Sequence, residues 1–331
     1  MSAAADRLWL QAFRWGWRGT RLLPERSAYR LFDLIALAAH ARDIGDVQRM
    51  RANYAIVRPE LSADELNALV RDGMRSYMRY WCDAFRLPDR TPADLAQRVR
   101  CEGDHGVRAD IAAGQGQVLF LGHLGNWDTA GAWATCHLAP VTTVAERLKP
   151  EELYAEFLAF RERLGMTILP LTGEGAVFGR LVRAVRAGAF VPLLADRDLS
   201  ERGVGVTFCG HHAAMAAGPA ALALTTGAPL RPVAVHYERD PGAGGGASAY
   251  RIVIRFGPLV GDPGTGSTQD RIASMTQQCA DYLGDAVREH TADWHMMQRV
   301  FVDPPEAHHS HHTHETRGDR DAFGASAPAH A

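Results

Sequence analysis

Residues 60–100 carry apolar side chains at helical spacing, and beyond Gly114 the pattern shifts to short apolar runs alternating with helical segments. Ser62 and Glu65 form a capping box, in which each side chain satisfies a backbone donor at a helix start, and Leu66, Leu69 and Val70 follow on one face. Tyr77, Tyr80, Trp81 and Phe85 continue the stripe, which reads as core rather than as a ligand site. Thr91-Pro92 opens another short helix with proline at its first position. Residues 118–121, 141–144, 167–169 and 189–195 read as strands, separated by helices over 129–137, 150–164 and 178–187. This alternation predicts an α/β fold with a mostly parallel central sheet flanked by helices on both faces. Residues 231–237 and 250–256 flank the run Gly242-Ala243-Gly244-Gly245-Gly246 and predict a hairpin at a sheet edge.

The first sixty residues follow the helical period with a different charge, ten arginines against six carboxylates. Trp9, Phe13 and Trp17, with Leu10 beside them, share one face, while Arg7, Arg14, Arg18 and Arg21 gather on another. Such a helix can lie in the surface of an anionic membrane, and a helix packed on its own protein shows the same amphipathicity. From residue 304 large apolar side chains nearly vanish and six of the 15 histidines appear, so this tail is expected to be disordered. The expected organisation is a helical N-terminal region over 1–110, an α/β core over 111–302 and a His-rich tail over 303–331.

Composition narrows the function classes. At 331 residues and 47% hydrophobic, the chain can bury a sizeable core. Its net charge of −2 argues against a general nucleic-acid binder. Lys149 is the single lysine among 36 basic residues, which leaves 35 arginines, a bias read mainly as genomic and only in part as phosphate binding. No apolar run reaches the ~18 residues of a membrane span, and Asp6, Arg7 and Arg14 interrupt any signal-peptide core. Five scattered cysteines without a C-x-x-C pair support neither a disulfide framework nor a zinc site, and a reducing cytosol fits them best.

Ligands of open α/β sheets bind beyond the carboxyl ends of the strands, and two polar clusters sit there. The first, Gly122-His123-Leu124-Gly125-Asn126-Trp127-Asp128, follows a strand directly. A turn that brings Asp128 back to His123 would fix the ring's tautomer and make its other nitrogen a better base. The second is Asp196-Arg197-Asp198. No G-x-S-x-G elbow accompanies the histidine and no serine or cysteine lies in its turn, so a base acting on a substrate hydroxyl is the chemistry suggested. A turn histidine that only bonds its backbone is the plainer alternative.

GHLGNWD resembles the His-x4-Asp signature of glycerolipid-type acyltransferases, in the form shared by lipid A late acyltransferases and actinobacterial phosphatidylinositol mannoside acyltransferases. The resemblance to the second group extends in order through TTVAERLKPEELY (142–154), FRERLGM around Arg161, LPLTG (169–173), ADRDL (195–199), AGPAALALTTGAPLRP (217–232) and ADWHMMQ (292–298). It implies an α/β fold with an apolar acyl groove, and transfer of a fatty acyl chain, palmitoyl-CoA being the expected donor, to the 6-hydroxyl of a mannose. His123 would be the base and Asp128 its orienting group. Asp196 would be a further acidic partner, where the family often carries glutamate. Gly125, Asn126, Glu146, Arg161, Arg197 and Asp198 would meet the acceptor and the phosphates, and the backbone N–H groups of Gly122 and Gly125 would hold the oxyanion. No metal or redox cofactor is implied, and acyl-CoA is a co-substrate. The expected place is peripheral, on the cytosolic face of the plasma membrane. The chain departs from the family over 203–216, where carboxylates and a proline are missing from a loop expected over the acyl donor. The alternatives are a lipid A-type or other glycolipid acyltransferase and a catalytically silent lipid-binding homologue.

Overall fold

The computed structural model describes residues 11, 15–145, 151–171, 174–198, 203–240 and 250–302. Trp9, Leu10, Phe13, Arg7, Arg14, Glu146, the glycine run and the tail therefore lie outside the described residues. A five-stranded sheet in the order β1-β9-β8-β2-β5 forms the centre, built from β1 (Val99–Glu102), β2 (Gln117–Leu121), β5 (Phe190–Leu194), β8 (Leu230–Arg239) and β9 (Tyr250–Phe256). Only β8 and β9 pair antiparallel; β1 with β9, and β2 with both β5 and β8, are parallel. The β8–β9 hairpin is not the sheet edge, because β1 adds outside β9. That strand lies in the segment expected to be helical, and its four residues are too few to show a period.

β3 (Thr142–Ala145) and β4 (Thr167–Pro170) make a parallel pair of their own beside β5. Val141 bridges Phe190, but continuous pairing stops there. Pro192 has no N–H to offer β3, and the Thr143 hydroxyl bonds its carbonyl at 2.6 Å instead. Residues 203–216, expected as a loop, are mostly a hairpin of β6 (Val204–Phe208) and β7 (His211–Met215). Its turn is Cys209-Gly210, with φ of 51° and 85°. Those angles suit the twist of a two-residue hairpin, but cysteine is not a residue that announces them.

Helices cover both faces. In β2, Val118 and Phe120 face a core shared with α8 (Glu174–Arg186), α9 (Gly218–Thr226) and α10 (Thr268–Glu289), while Leu119 and Leu121 face a second core shared with α6 (Trp127–His137) and α7 (Glu151–Arg163). This two-sided burial is why the strand reads as an uninterrupted apolar run. The N-terminal helices are α1 (Glu25–Ala41), α2 (Gly45–Val57), α3 (Ala63–Arg86), α4 (Pro92–Arg98) and α5 (His105–Ala112). The capping boxes of Ser62 with Glu65 and of Thr91 with Asp94 are both formed.

Residues 15–22 are helical, and Trp17 points inward: its indole donates to the Phe85 carbonyl at 3.1 Å and stacks on Phe85 at 5.2 Å. Arg21 pairs with Asp89. For Trp17, packing on the protein wins over membrane contact. The exposed apolar side chains of this region instead include Trp15, Leu22 and the α1 residues Leu31, Leu34, Ile35 and Leu37, with exposed Arg26 and Arg30 on the turns before Leu34. No helix among the described residues is long and apolar enough to cross a membrane.

Candidate active site

β2 and β5 run parallel with Leu121 opposite Leu194, so the next residues but one, His123 and Asp196, emerge together at the carboxyl end of the sheet. Asp196 is wholly buried and accepts three hydrogen bonds. The His123 ring reaches its Oδ1 from Nδ1 at 2.6 Å, the His123 amide reaches Oδ2 at 2.8 Å, and the Trp294 indole reaches Oδ2 at 3.1 Å. Burial alone would raise the acid's pKa, but the His123 side chain and the three donors hold it below the usual carboxylate range. An ionised carboxylate only accepts, so Nδ1 is a protonated donor, and the lone pair of the neutral ring belongs to Nε2. The imidazole is 19% exposed, and its Nε2 has no hydrogen bond among the described residues.

The loop between β2 and α6 is clamped from the C-terminal side of the chain. Gly125 donates its N–H to the Asp293 carbonyl at 2.8 Å, and His295 donates its N–H to the His123 carbonyl at 2.8 Å. Gly125 is at φ 64°, and a Cβ there would sit 2.3 Å from the Val235 carbonyl, so both the turn and the close approach require glycine. The clamp is itself held. Tyr54 donates to the Trp294 carbonyl at 2.9 Å, Asn53 donates to the Met296 carbonyl at 3.0 Å, and the Asp293 carboxylate accepts from Ser76 at 2.5 Å and from the Tyr237 N–H at 2.8 Å. His295 is buried against Ser76, and burial pushes its pKa down to about 3, so it is a neutral structural ring. In the sequence the 292–298 block is visible as ADWHMMQ, but nothing local in it signals this clamping role.

The residues expected around the histidine divide. Asp128 makes no hydrogen bond to it among the described residues. Asp128 is the second residue of α6, and its oxygens are taken by Arg161 at 2.7 and 3.2 Å and by the Tyr80 hydroxyl at 2.7 Å. A guanidinium offering two parallel donors holds a carboxylate more strongly than a neutral imidazole does. The single-methylene shortening at Asp196 does not prevent direct contact, as the 2.6 Å bond shows. Asn126 is fully buried; its side-chain carbonyl caps α6 at the Thr129 N–H, and its side-chain amide donates to the Tyr237 hydroxyl at 3.1 Å. The Gly125 N–H is spent on Asp293, so it is not an oxyanion donor. Two of Arg161's donors are committed to Asp128, with the side chain 22% exposed. Arg197 and Asp198 are half-buried just beyond Asp196, and Asp198 accepts the Gly203 N–H at 2.8 Å. Among the described residues no group of three or more His, Cys, Asp or Glu could hold a metal ion.

Residues 4–302 match the family described as bacterial lipid A biosynthesis acyltransferase. The chain belongs to that family. It is 39% identical to a phosphatidylinositol mannoside acyltransferase of Mycolicibacterium smegmatis, over 87% of this chain and 89% of the relative. It is 40% identical to a protein of the same name from Mycobacterium tuberculosis, over 87% of this chain and 86% of the relative. The protein is therefore an acyltransferase. In this acyltransferase the histidine of the His-x4-Asp signature and the aspartate of ADRDL are bonded to each other, while the aspartate of the signature pairs with the arginine of FRERLGM.

Proposed function

We propose that the chain transfers a fatty acyl group from acyl-CoA to a mannose hydroxyl of a phosphatidylinositol mannoside, with His123 as general base. The observation that carries this reading is the His123–Asp196 pair. A buried anion fixes one ring nitrogen, the other is unspent, and no serine, threonine or cysteine of the described chain bonds it. With no protein nucleophile at the base, the group it deprotonates belongs to a substrate.

The acceptor hydroxyl gives its proton to Nε2 as its oxygen attacks the thioester carbonyl. The C–S bond then breaks, the acyl ester forms, and the departing thiolate takes the proton back from the imidazolium. Asp196 stabilises that imidazolium without taking its proton. The developing oxyanion falls to the positive first turn of α6, which begins at Trp127, whose ring lies edge-on to His123 at 5.5 Å. The Asp128–Arg161 pair fixes α6 to α7 and so positions that turn. The acyl groove implied by the family, the palmitoyl donor and the cytosolic membrane face belong to this proposal. Leu31, Leu34 and Ile35, with Arg26 and Arg30 nearby, are the surface suited to an anionic bilayer.

The test is transfer from radiolabelled palmitoyl-CoA to phosphatidylinositol mannosides in anionic vesicles, comparing wild type, His123→Ala and Leu34→Glu/Ile35→Glu. The histidine variant is expected to lose about a thousandfold or more in rate. The helix variant should lose activity on vesicles but keep it on detergent-dispersed acceptor. Equal product from wild type and His123→Ala rejects the base, and transfer only to another glycolipid rejects the acceptor.

A further inference from the structure

A cavity of about 350 Å³ opens between α3, the end of α10 and the β8–β9 pair, and His123 does not line it. Three arginines do: Arg58, Arg75 and Arg79. The first two are compensated, Arg58 by Glu60 and Arg75 by Asp33, each at 2.5 Å. Arg79 differs. It donates no hydrogen bond and enters no ion pair among the described residues, and its Nε is buried without a partner. Its guanidinium lies over the rings of Tyr250 at 3.8 Å and Tyr237 at 5.0 Å. The carboxylates near it take their hydrogen bonds from other groups, and Asp72, which also lines the cavity, lies 3.6 Å from Arg71 and 3.7 Å from Arg75. Asp293 is occupied by Ser76 and the Tyr237 N–H, Asp83 by Tyr29, Asn126 and the Tyr237 hydroxyl, and Glu289 by Arg255. A planar cation pinned on two aromatic faces, with its donors unspent, is pre-organised for bidentate recognition of an oxyanion.

We propose that this cavity is a second binding site, for a phosphate group, free or esterified, with Arg79 as its anchor. Its volume lies in the range of about 300–1,000 Å³ usual for small-ligand sites. Ser76 and Asp293 form part of its wall and also belong to the clamp on the His123 loop, so a ligand here bears on the loop from behind. The site shares no residue with the His123–Asp196 pair, and it stands whether or not the acyl-transfer mechanism does.

The test is calorimetric titration of the full chain with inorganic phosphate and, separately, with glycerophosphoinositol, using wild type, Arg79→Met, Arg79→Lys and His123→Ala. Saturable binding is expected in wild type and unchanged in His123→Ala. It should weaken about tenfold or more in Arg79→Met, since charged hydrogen bonds are lost. Arg79→Lys keeps the charge, loses the fork and should weaken binding as well; it is the deciding variant if circular dichroism shows the methionine variant unfolded. Tighter binding of inorganic phosphate identifies a free-phosphate site, and tighter binding of glycerophosphoinositol a lipid-headgroup site. No binding to wild type, or equal affinity in a folded Arg79 variant, overturns the proposal.

Discussion

Replacing Asp196 by asparagine removes a charge and almost no volume, and the three bonds to this carboxylate make the consequence calculable. All three partners are N–H donors: the His123 ring at 2.6 Å, the His123 amide at 2.8 Å and the Trp294 indole at 3.1 Å. An asparagine can keep its oxygen toward the amide and the indole, which places its NH2 against Nδ1. Flipped, it faces two buried donors with a third, at about 1–3 kcal/mol for each stranded group. The unflipped arrangement therefore wins, and Nδ1 becomes an acceptor. The ring proton then moves to Nε2, the nitrogen that takes the substrate's proton in the proposed mechanism. The expected loss is about 10⁴ in kcat/KM, the size of the effect when a base's orienting carboxylate becomes an amide in a hydrolase triad, or roughly 5.5 kcal/mol of barrier. Some stability should be lost as well, because the donors hold the ionised carboxylate better than water does, despite its burial. Steady-state transfer assays beside thermal unfolding would measure both quantities. An asparagine variant within about tenfold of wild type, equally folded, would refute tautomer control by Asp196.

Asp128→Asn should show the opposite balance. Breaking its buried pair with Arg161 is expected to cost about 3 kcal/mol of stability and less activity than Asp196→Asn; the reverse ranking in denaturant titrations and rate assays would return the orienting role to Asp128. Gly125→Ala combines φ 64° with a 2.3 Å clash against the Val235 carbonyl, and should destabilise by more than about 2 kcal/mol; a loss under about 0.5 kcal/mol would mean the loop moves freely. His295 is held neutral down to about 3, chiefly by burial, with Arg79 and His123 adding to the effect. Its unfolded form protonates below the ordinary 6.5, so between those values the unfolded chain binds the extra proton. Stability from this group is complete above about 6.5 and falls with pH, by at most about 1.4 kcal/mol per pH unit. Urea midpoints at pH 7 and pH 5 measure that slope, and His295→Gln should flatten it; an unchanged slope places the effect elsewhere.

What the sequence reveals and conceals about this site follows from the range of each interaction. Capping boxes act across three residues, so Ser62 with Glu65 and Thr91 with Asp94 are legible from spacing alone. Strands buried on both faces are legible as apolar runs, as in residues 117–121. The partner of His123 is a different kind of fact. Asp128 is close in sequence, but as a first-turn residue of α6 it meets Arg161 and Tyr80 from other helices. Asp196 lies seventy-three positions away and reaches the ring only because β5 is laid beside β2 in register. Strand order is set by how helices pack over the whole sheet, and no local pattern encodes it. The same holds for Trp294 and Gly125, whose bonds join the two ends of the core. A spacing motif can therefore locate the histidine. The acid that holds its ring, and the clamp that holds the loop, come from topology. That is why the carboxylate bonded to the ring is Asp196 and not the Asp128 that spacing suggests.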